Sequence, residues 1–344
     1  MRINKRKVQK NFSAAAANYD QISSLQQEIN KLLFSCFPIS AASSSSSSSH
    51  ISSSPTSSPS PSSYAFFSSP YRVNRILDIG TGTGKLLMNL ARLFPSGEFH
   101  GMDLAYGMIS RACRVARECA FFTPSTGAKF PLFLQADAEK LPYRAESFDL
   151  VLSNLAYQWV PDLGQAFREV YRVLKPGGRF FFSTFGYGTL AELHISFREA
   201  YRKLREDSHY EAHRKQGEDT YQKVSRKQGE DAHQKAHRKL EEDTPQSHGQ
   251  PFLTSDEIDA ILKGSGFLSI MVREYTMPRV YPDVQPLLLE LKATGASNAT
   301  LSRSSGLGRR RILEEMSNYY KQHFQNGEGI LATYQVILAQ GKKD

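Results

Sequence analysis

The segment ILDIGTGTGKL, residues 76–86, constrains the fold of this chain more than any other feature. A short apolar run ends at Asp78 and Ile79, and glycines then alternate with small residues at Gly80, Gly82 and Gly84, before a helix-like sequence. Glycine adopts backbone conformations that side chains block, and it lets a ligand approach the main chain closely. The pattern therefore predicts a ligand-binding turn at the carboxyl end of the first strand of an α/β sheet.

The segments that follow repeat the alternation of strand and helix. Apolar strand-like runs lie in EFHGMDL, PLFLQAD, SFDLVLSNLA, RFFFSTF and the terminal ILATYQVILAQGKK, and amphipathic helical segments lie between most of them. A further helix is predicted after Thr254 or Ser255, with acidic residues in its first turn and glycines at its end. This order predicts an α/β fold with a mostly parallel sheet and helices on both faces.

Composition divides the 344 residues into five parts. We expect a helical cap over 1–39, a Ser/Pro-rich linker over 40–70, a core built on the glycine loop over 71–200, a charged insertion over 201–248 and a closing part over 249–344. The insertion is a tandem repeat of twelve residues that has almost no apolar face to bury. Five of the nine histidines lie in it, and duplication of a charged segment explains them better than a metal array.

The cysteine content and the charge limit the classes of protein to which this chain could belong. Three cysteines without a CxxC pair exclude a disulfide framework and favour a reducing compartment, and no apolar run is long enough to cross a bilayer. We therefore expect a cytoplasmic protein. The formal charge is +9, and five of the first ten residues are basic. This charge favours an acidic partner, which could be nucleic acid, a membrane or a carrier protein. The alternative is that the charge serves solubility alone.

Two common phosphate-binding motifs do not fit the glycine loop. A dinucleotide fingerprint needs a third glycine where Lys85 stands, and a P-loop needs glycine where Ile79 stands and a hydroxyl where Leu86 stands. The remaining pattern, D-x-G-x-G-x-G, resembles class I S-adenosylmethionine-dependent methyltransferases, which have a Rossmann-like fold. The resemblance implies that Asp78 orders the loop and faces the amino-acid end of the cofactor; a strand-end cap is the alternative role. The implied loop contacts are Gly80, Thr81, Gly82 and Gly84.

Further cofactor contacts follow from the same resemblance. Asp103, 25 residues after Asp78, matches the acid that accepts the ribose hydroxyls, with Leu104 beside it. Asp137 and Ala138 match the residues that meet the adenine ring, and Asn154 lies where the fourth strand opens toward the active site.

Segments beyond the core resemble the malonyl-acyl-carrier-protein O-methyltransferase family of biotin synthesis. They are FSAAAANYDQISSLQ, SNLAYQW with the sequence after it, FLTSDEIDAIL, LKATGASN and TYQVILAQG. The proline pair that nucleobase amino-methyltransferases carry after the fourth strand is absent, which argues against nucleic acid as substrate. We expect no membrane partner either.

The resemblance implies methyl transfer to the free carboxylate of a malonyl thioester on acyl-carrier protein or CoA. A carboxylate is already an anion at pH 7, so neither a general base nor a metal is expected. An arginine would hold that carboxylate, with Arg198, Arg279 and Arg303 as candidates. Further substrate-pocket candidates are Tyr19, Tyr157, Gln158 and Trp159. The resemblance suggests that Tyr19 closes over the cofactor, with packing of an amphipathic helix as the alternative, and core packing is the alternative role for Trp159.

Two other functions stay open at this point. The same fold could methylate another small molecule, such as a quinone ring, or it could be a non-catalytic module that binds a partner through its basic termini or repeat. The intact glycine loop and its acids argue against the second.

Overall fold

The computed structural model describes residues 3–35, 73–122, 128–218, 252–294 and 307–344. Seven strands in these ranges form one sheet in the order β3-β2-β1-β4-β5-β7-β6. Their bounds are β1 Arg75–Ile79, β2 Glu98–Asp103, β3 Leu132–Gln135, β4 Phe148–Asn154, β5 Leu174–Phe185, β6 Leu268–Tyr281 and β7 Ile330–Lys342. Neighbours among β1 to β5 pair in parallel, whereas β7 runs antiparallel to both β5 and β6. The carboxyl ends of the first five strands therefore share one edge, where ligands bind in open α/β sheets.

Helices cover both faces of the sheet, as predicted. They are α1 Lys5–Ala15, α2 Tyr19–Ile22, α3 Ser24–Ser35, α4 Lys85–Leu93, α5 Tyr106–Glu118, α6 Leu163–Val173, α7 Ala191–Glu218, α8 Ser255–Gly264, α9 Val284–Ala293 and α10 Leu307–His323. One core packs α3, α4, α7, α9 and α10 against one face, and a second packs α6 and α8 against the other. The expected mostly parallel α/β architecture is confirmed.

Local capping explains where two helices begin. The hydroxyl of Thr254 accepts from the backbone of Glu257, and the Glu257 side chain accepts from the backbone of Thr254, so a capping box starts α8 as the sequence predicted. The Asn4 side chain accepts from Lys7 N at 3.1 Å and starts α1. The basic amino-terminal residues are therefore helical, within the helical cap predicted over 1–39.

Strand β6 was not predicted, and its position explains why. Among the described strands it pairs with β7 alone, and its side chains alternate between exposed and half-buried along most of its length. Charged residues and Pro278 interrupt its apolar pattern, a composition typical of edge strands.

The structure extends α7 across the predicted boundary at residue 200. Tyr201 and Leu204, in the first repeat copy, are 5 % and 8 % exposed, so this copy does bury apolar side chains, contrary to the expectation. The linker 40–70 and repeat residues 219–248 lie outside the described residues. Within the described ranges, no helix combines the length and apolarity needed to cross a bilayer.

Candidate functional site

The glycine loop turns sharply between β1 and α4. Gly80, Gly82 and Gly84 have φ values of 72°, 56° and 83°, which L side chains rarely adopt. A Cβ at Gly80 would lie 2.2 Å from the Cβ of Ala156, whereas one at Gly82 would meet nothing within 4 Å. The first glycine thus serves tight packing, and the second leaves space for a ligand beside the main chain.

Asp78, at the carboxyl end of β1, is 1 % exposed. Neither of its carboxylate oxygens has a hydrogen-bond partner among the described residues. Burial raises the pKa of Asp78 to about 7, and the nearby Asp103 adds to the rise. Burying a carboxylate without a hydrogen-bond partner costs free energy. We therefore infer that Asp78 is placed to receive a donor or a cation from a ligand.

Asp103, at the end of β2, is held by the loops on either side. One of its oxygens accepts from Gly82 N at 3.0 Å, and the other accepts from Ala105 N at 2.8 Å. Burial raises the pKa of Asp103 to about 6, although these backbone donors favour the anion. The carboxylate is therefore fixed in position beside the glycine loop, and Leu104 follows it along the cavity wall.

Asp137, after β3, is already engaged by a residue that the sequence did not indicate. Lys5, in the first turn of α1, forms an ion pair with Asp137 at 2.5 Å and another with Glu139. Asp137 also accepts from the backbone of Glu139 at 3.0 Å. Ala138 lies on the same cavity wall. These ion pairs join the amino-terminal helix directly to the loop that follows β3.

Asn154, at the end of β4, links the sheet to α3. Its side-chain oxygen accepts from Ser183 Oγ at 2.5 Å, and its amide nitrogen donates to the main-chain oxygen of Gln26 at 3.1 Å. This residue anchors the amino-terminal segment over the carboxyl edge of the sheet.

Two adjoining cavities open at this edge and share Tyr19, Gly80, Gly82 and Asn154. The larger spans about 700 Å³ and the smaller about 440 Å³, openings to solvent included, a size typical of small-molecule sites. The larger also contains Asp103, Leu104, Asp137, Ala138 and Trp159, and the smaller also contains Asp78, Thr81, Gln26 and Asn30. The structure therefore brings together all the predicted loop and acid residues except Gly84, which caps α4.

The amino-terminal segment supplies cavity residues that sequence reasoning missed. Val8 and Phe12 of α1 line the larger cavity, and Gln26 and Asn30 of α3 line the smaller. The side-chain oxygens of Gln26 and Asn30 are buried without a partner among the described residues, like those of Asp78. The sequence shows apolar residues at helical spacing in this segment. The spacing does not determine which face of each helix packs against the sheet.

Asp20 joins this segment to the glycine loop. It accepts from Thr83 Oγ1 at 2.7 Å and lies 3.2 Å from Lys85 Nζ, and its other oxygen lies 3.7 Å from Arg111. The charge of Asp20 is thereby shared among three donors on the loop and on α5. The preceding Tyr19 lines both cavities, and burial together with the charges of Asp103 and Asp20 raises its pKa, so its hydroxyl stays protonated.

Three residues after β4 were candidates for the substrate pocket, and one of them lines a cavity. Trp159 does so, and its ring meets Phe12 edge-on at 5.4 Å. Tyr157 is 1 % exposed and packs edge-on against Phe167, so it belongs to the core and the pocket assignment is corrected. Gln158 lines neither cavity and accepts from Thr184 Oγ1 at 3.4 Å.

Two of the three arginine candidates lie away from the two cavities. The Arg198 side chain is 72 % exposed on α7 and lies 3.5 Å from Glu199. Arg279, on β6, is held by Ser24 and Glu28 of α3. Neither lines the two cavities, and Arg303 lies outside the described residues. The cations that do line them are Lys5 and Lys85.

A metal centre is not part of the described structure. No group of three or more His, Cys, Asp or Glu side chains in those residues could hold a metal ion. Carboxylates, side-chain amides and backbone donors line this edge of the sheet.

Comparison with known proteins identifies the family. Residues 77–182 match the model of a methyltransferase domain. The malonyl-[acyl-carrier protein] O-methyltransferase of Geobacter sulfurreducens is 31 % identical over 99 % of this chain and 100 % of its own length, and that of Methylococcus capsulatus is 31 % identical over 98 % and 94 %. The enzyme of that name from Brevibacillus brevis is 30 % identical over 78 % of this chain and 81 % of its own. This chain therefore belongs to the malonyl-[acyl-carrier protein] O-methyltransferase family.

Proposed function

We propose that this protein transfers the methyl group of S-adenosylmethionine to the free carboxylate of a malonyl thioester carried on acyl-carrier protein. The cofactor part is carried by the buried carboxylate of Asp78, which has no partner among the described residues and lies at a glycine loop. The acceptor part is supported by the relatives, whose names specify malonyl-acyl-carrier protein and whose similarity extends over nearly the whole chain.

The smaller cavity fits the amino-acid end of the cofactor. Asp78, Gln26 and Asn30 present buried oxygen acceptors without partners to it, and an ammonium group offers three donors. A cation there would offset the cost of burying the Asp78 anion. These three residues are the proposed ammonium site.

The larger cavity fits the nucleoside. Asp103 would accept from the ribose hydroxyls, with Leu104 beside the sugar, and Asp137 and Ala138 would meet the adenine ring. Lys5 already neutralises part of the charge on Asp137. The loop residues Gly80, Thr81 and Gly82 would follow the cofactor between the two cavities.

When bound, the cofactor supplies a methyl group on a positively charged sulfur. In the transfer the carbon–sulfur bond breaks as a carboxylate oxygen forms the new carbon–oxygen bond, and no proton moves. The residues of this chain therefore need only align the two reactants and keep water out. Tyr19, Phe12 and Trp159 form an aromatic wall suited to that task. The malonyl ester so formed has lost one negative charge.

Mass spectrometry of the carrier tests this function. Malonyl-acyl-carrier protein incubated with the enzyme and S-adenosylmethionine should gain the mass of one CH₂ group, and alkaline hydrolysis should release methanol. The Asp78→Asn variant is the matched control and should form the ester far more slowly at limiting cofactor. Absence of ester on both the malonyl carrier and malonyl-CoA would refute the assignment.

A further inference from the structure

The first helix carries an unusual concentration of positive charge. The sequence of α1, KRKVQKNFSAA, contains Lys5, Arg6, Lys7 and Lys10 and no acidic residue. Three of these cations lie in the first turn, where the partial positive charge of the helix dipole makes cations unfavourable. Lys5 is paired with Asp137 and Glu139, but neither packing nor capping of this helix requires the other cations, which points to a role outside the helix.

The helix is fixed at the wall of the larger cavity. Its inward side contributes Val8 and Phe12 to that cavity, and the helix packs against α5. Gly107 N donates to Ser13 Oγ at 3.3 Å, and a Cβ at Gly107 would lie 2.5 Å from the Ser13 carbonyl oxygen. A partner that binds the outer side of α1 is therefore held beside the larger cavity.

Three of the four cations remain available to a partner. Lys5 is engaged by Asp137 and Glu139. Arg6, Lys7 and Lys10 are exposed, and none of them forms an ion pair with another described residue. We call these three residues the basic ridge.

We propose that the basic ridge, Arg6, Lys7 and Lys10, is the docking surface for the acidic carrier protein that delivers the malonyl thioester. The inference rests on the proposed function, because it assumes a carrier-bound acceptor. Carrier proteins of this kind are acidic, and complementary charge raises the rate of encounter and orients the partner. A ridge beside the cavity would place the carrier where its thioester arm enters.

The outer side of α1 fits a membrane less well. Interfacial helices need an outward apolar face, but the apolar side of α1 is turned inward, where Val8 is buried and Phe12 packs against Trp159. Binding to anionic vesicles stronger than to the carrier would overturn the proposal.

The test replaces Arg6, Lys7 and Lys10 together by glutamate in the full chain. With malonyl-acyl-carrier protein, kcat/KM should fall about tenfold or more, mainly through KM, and the wild-type value should fall with added salt. With malonyl-CoA, kcat/KM should change less than about twofold, because that acceptor carries no protein surface. Affinity for S-adenosylhomocysteine should not change, which shows that the variant is folded.

A matched control reverses three exposed cations elsewhere, Arg92, Arg144 and Lys292, and should leave the carrier reaction close to wild type. Equal losses in the two triple variants, or equal losses with carrier and CoA in the ridge variant, would overturn the docking surface. Absence of turnover with either acceptor would instead refute the proposed function. In that case the affinity of the malonyl carrier for the wild type and for the ridge variant is measured directly. Weaker binding to the ridge variant would support the docking surface, and equal binding would overturn it.

Discussion

Two aspartates are buried in neighbouring strands of the same sheet, at its opposite edges, and their surroundings differ sharply. Asp149, near the amino end of β4, accepts from Asn74 N at 3.1 Å, from Arg75 N at 2.8 Å and from Lys175 Nζ at 2.8 Å. Asp78, near the carboxyl end of β1, is more deeply buried, and no described residue donates to it. One carboxylate is satisfied by the fold, and the other is left for a ligand.

The largest expected effects come from changing each of the two carboxylates to its amide. Asp78→Asn should weaken S-adenosylhomocysteine binding by about 1.5–3 kcal/mol, the worth of a hydrogen bond to a charged group, and should raise the ligand-free melting temperature at pH 8 because no anion is then buried. Asp149→Asn should leave that affinity unchanged and lower the free energy of unfolding by about 1–3 kcal/mol, because the amide keeps one acceptor oxygen and either the Asn74 and Arg75 main-chain amides or Lys175 then lose theirs.

Calorimetry and thermal unfolding of the two variants check this pair of predictions. If Asp149→Asn weakened ligand binding as much as Asp78→Asn did, the contrast between a structural and a ligand-binding carboxylate would be wrong.

Asp103 combines features of the two aspartates, since backbone donors hold it and it still lines the cavity. Asp103→Ala should lower affinity for S-adenosylhomocysteine by about 1–3 kcal/mol, because the ribose contact is lost and Gly82 N loses its acceptor. Titration of adenine, which lacks the ribose, is the control and should give the same affinity in the wild type and the variant. Unchanged affinity for the full ligand in this variant would refute the ribose assignment.

The raised pKa of Asp78 gives ligand binding a pH dependence. Asp78 has a pKa of about 7 in the ligand-free protein, so it is mostly protonated at pH 6 and mostly ionised at pH 8. Binding of an ammonium needs the anion, so affinity for S-adenosylhomocysteine should rise about tenfold from pH 6 to pH 8. The pH dependence of this affinity should be weaker in Asp78→Asn. An equally steep pH profile in that variant would show that another group causes it.

The smallest effect is expected at the neutral acceptors. Gln26→Met or Asn30→Leu should weaken S-adenosylhomocysteine binding by about 0.5–1.5 kcal/mol, because each removes one neutral hydrogen bond to the ammonium. Methylthioadenosine lacks the amino-acid end and should bind these variants and the wild type equally. Parallel losses for both ligands would show that α3 acts on the site only through packing.

The central sheet and its acids could be predicted because their signals are local. The glycine spacing at Gly80, Gly82 and Gly84 and the acids at or just after the ends of the first three strands can be found in short stretches of sequence. The parallel order follows from the alternation of strands and helices. The edge strand β6 could not be predicted, because its pattern is set by one neighbour, β7, and by solvent on its other side.

The amino-terminal contribution to the site depends on tertiary packing, which the sequence does not report. The contact of Lys5 with Asp137 spans 132 residues, and the tie between Gln26 and Asn154 spans 128. Tyr157 and Trp159 lie two residues apart and are both aromatic, yet one packs in the core and the other lines the cavity. Only the turn between them decides which is which.

A calorimetric titration with S-adenosylhomocysteine at pH 6.5 in two buffers of different ionisation enthalpy tests the central claim most directly. If Asp78 is the unsatisfied carboxylate that receives the ammonium, the wild type should bind one ligand and release part of a proton to the buffer, and Asp78→Asn should release less. Absence of binding heat in both buffers, or identical proton release by the variant, would contradict it.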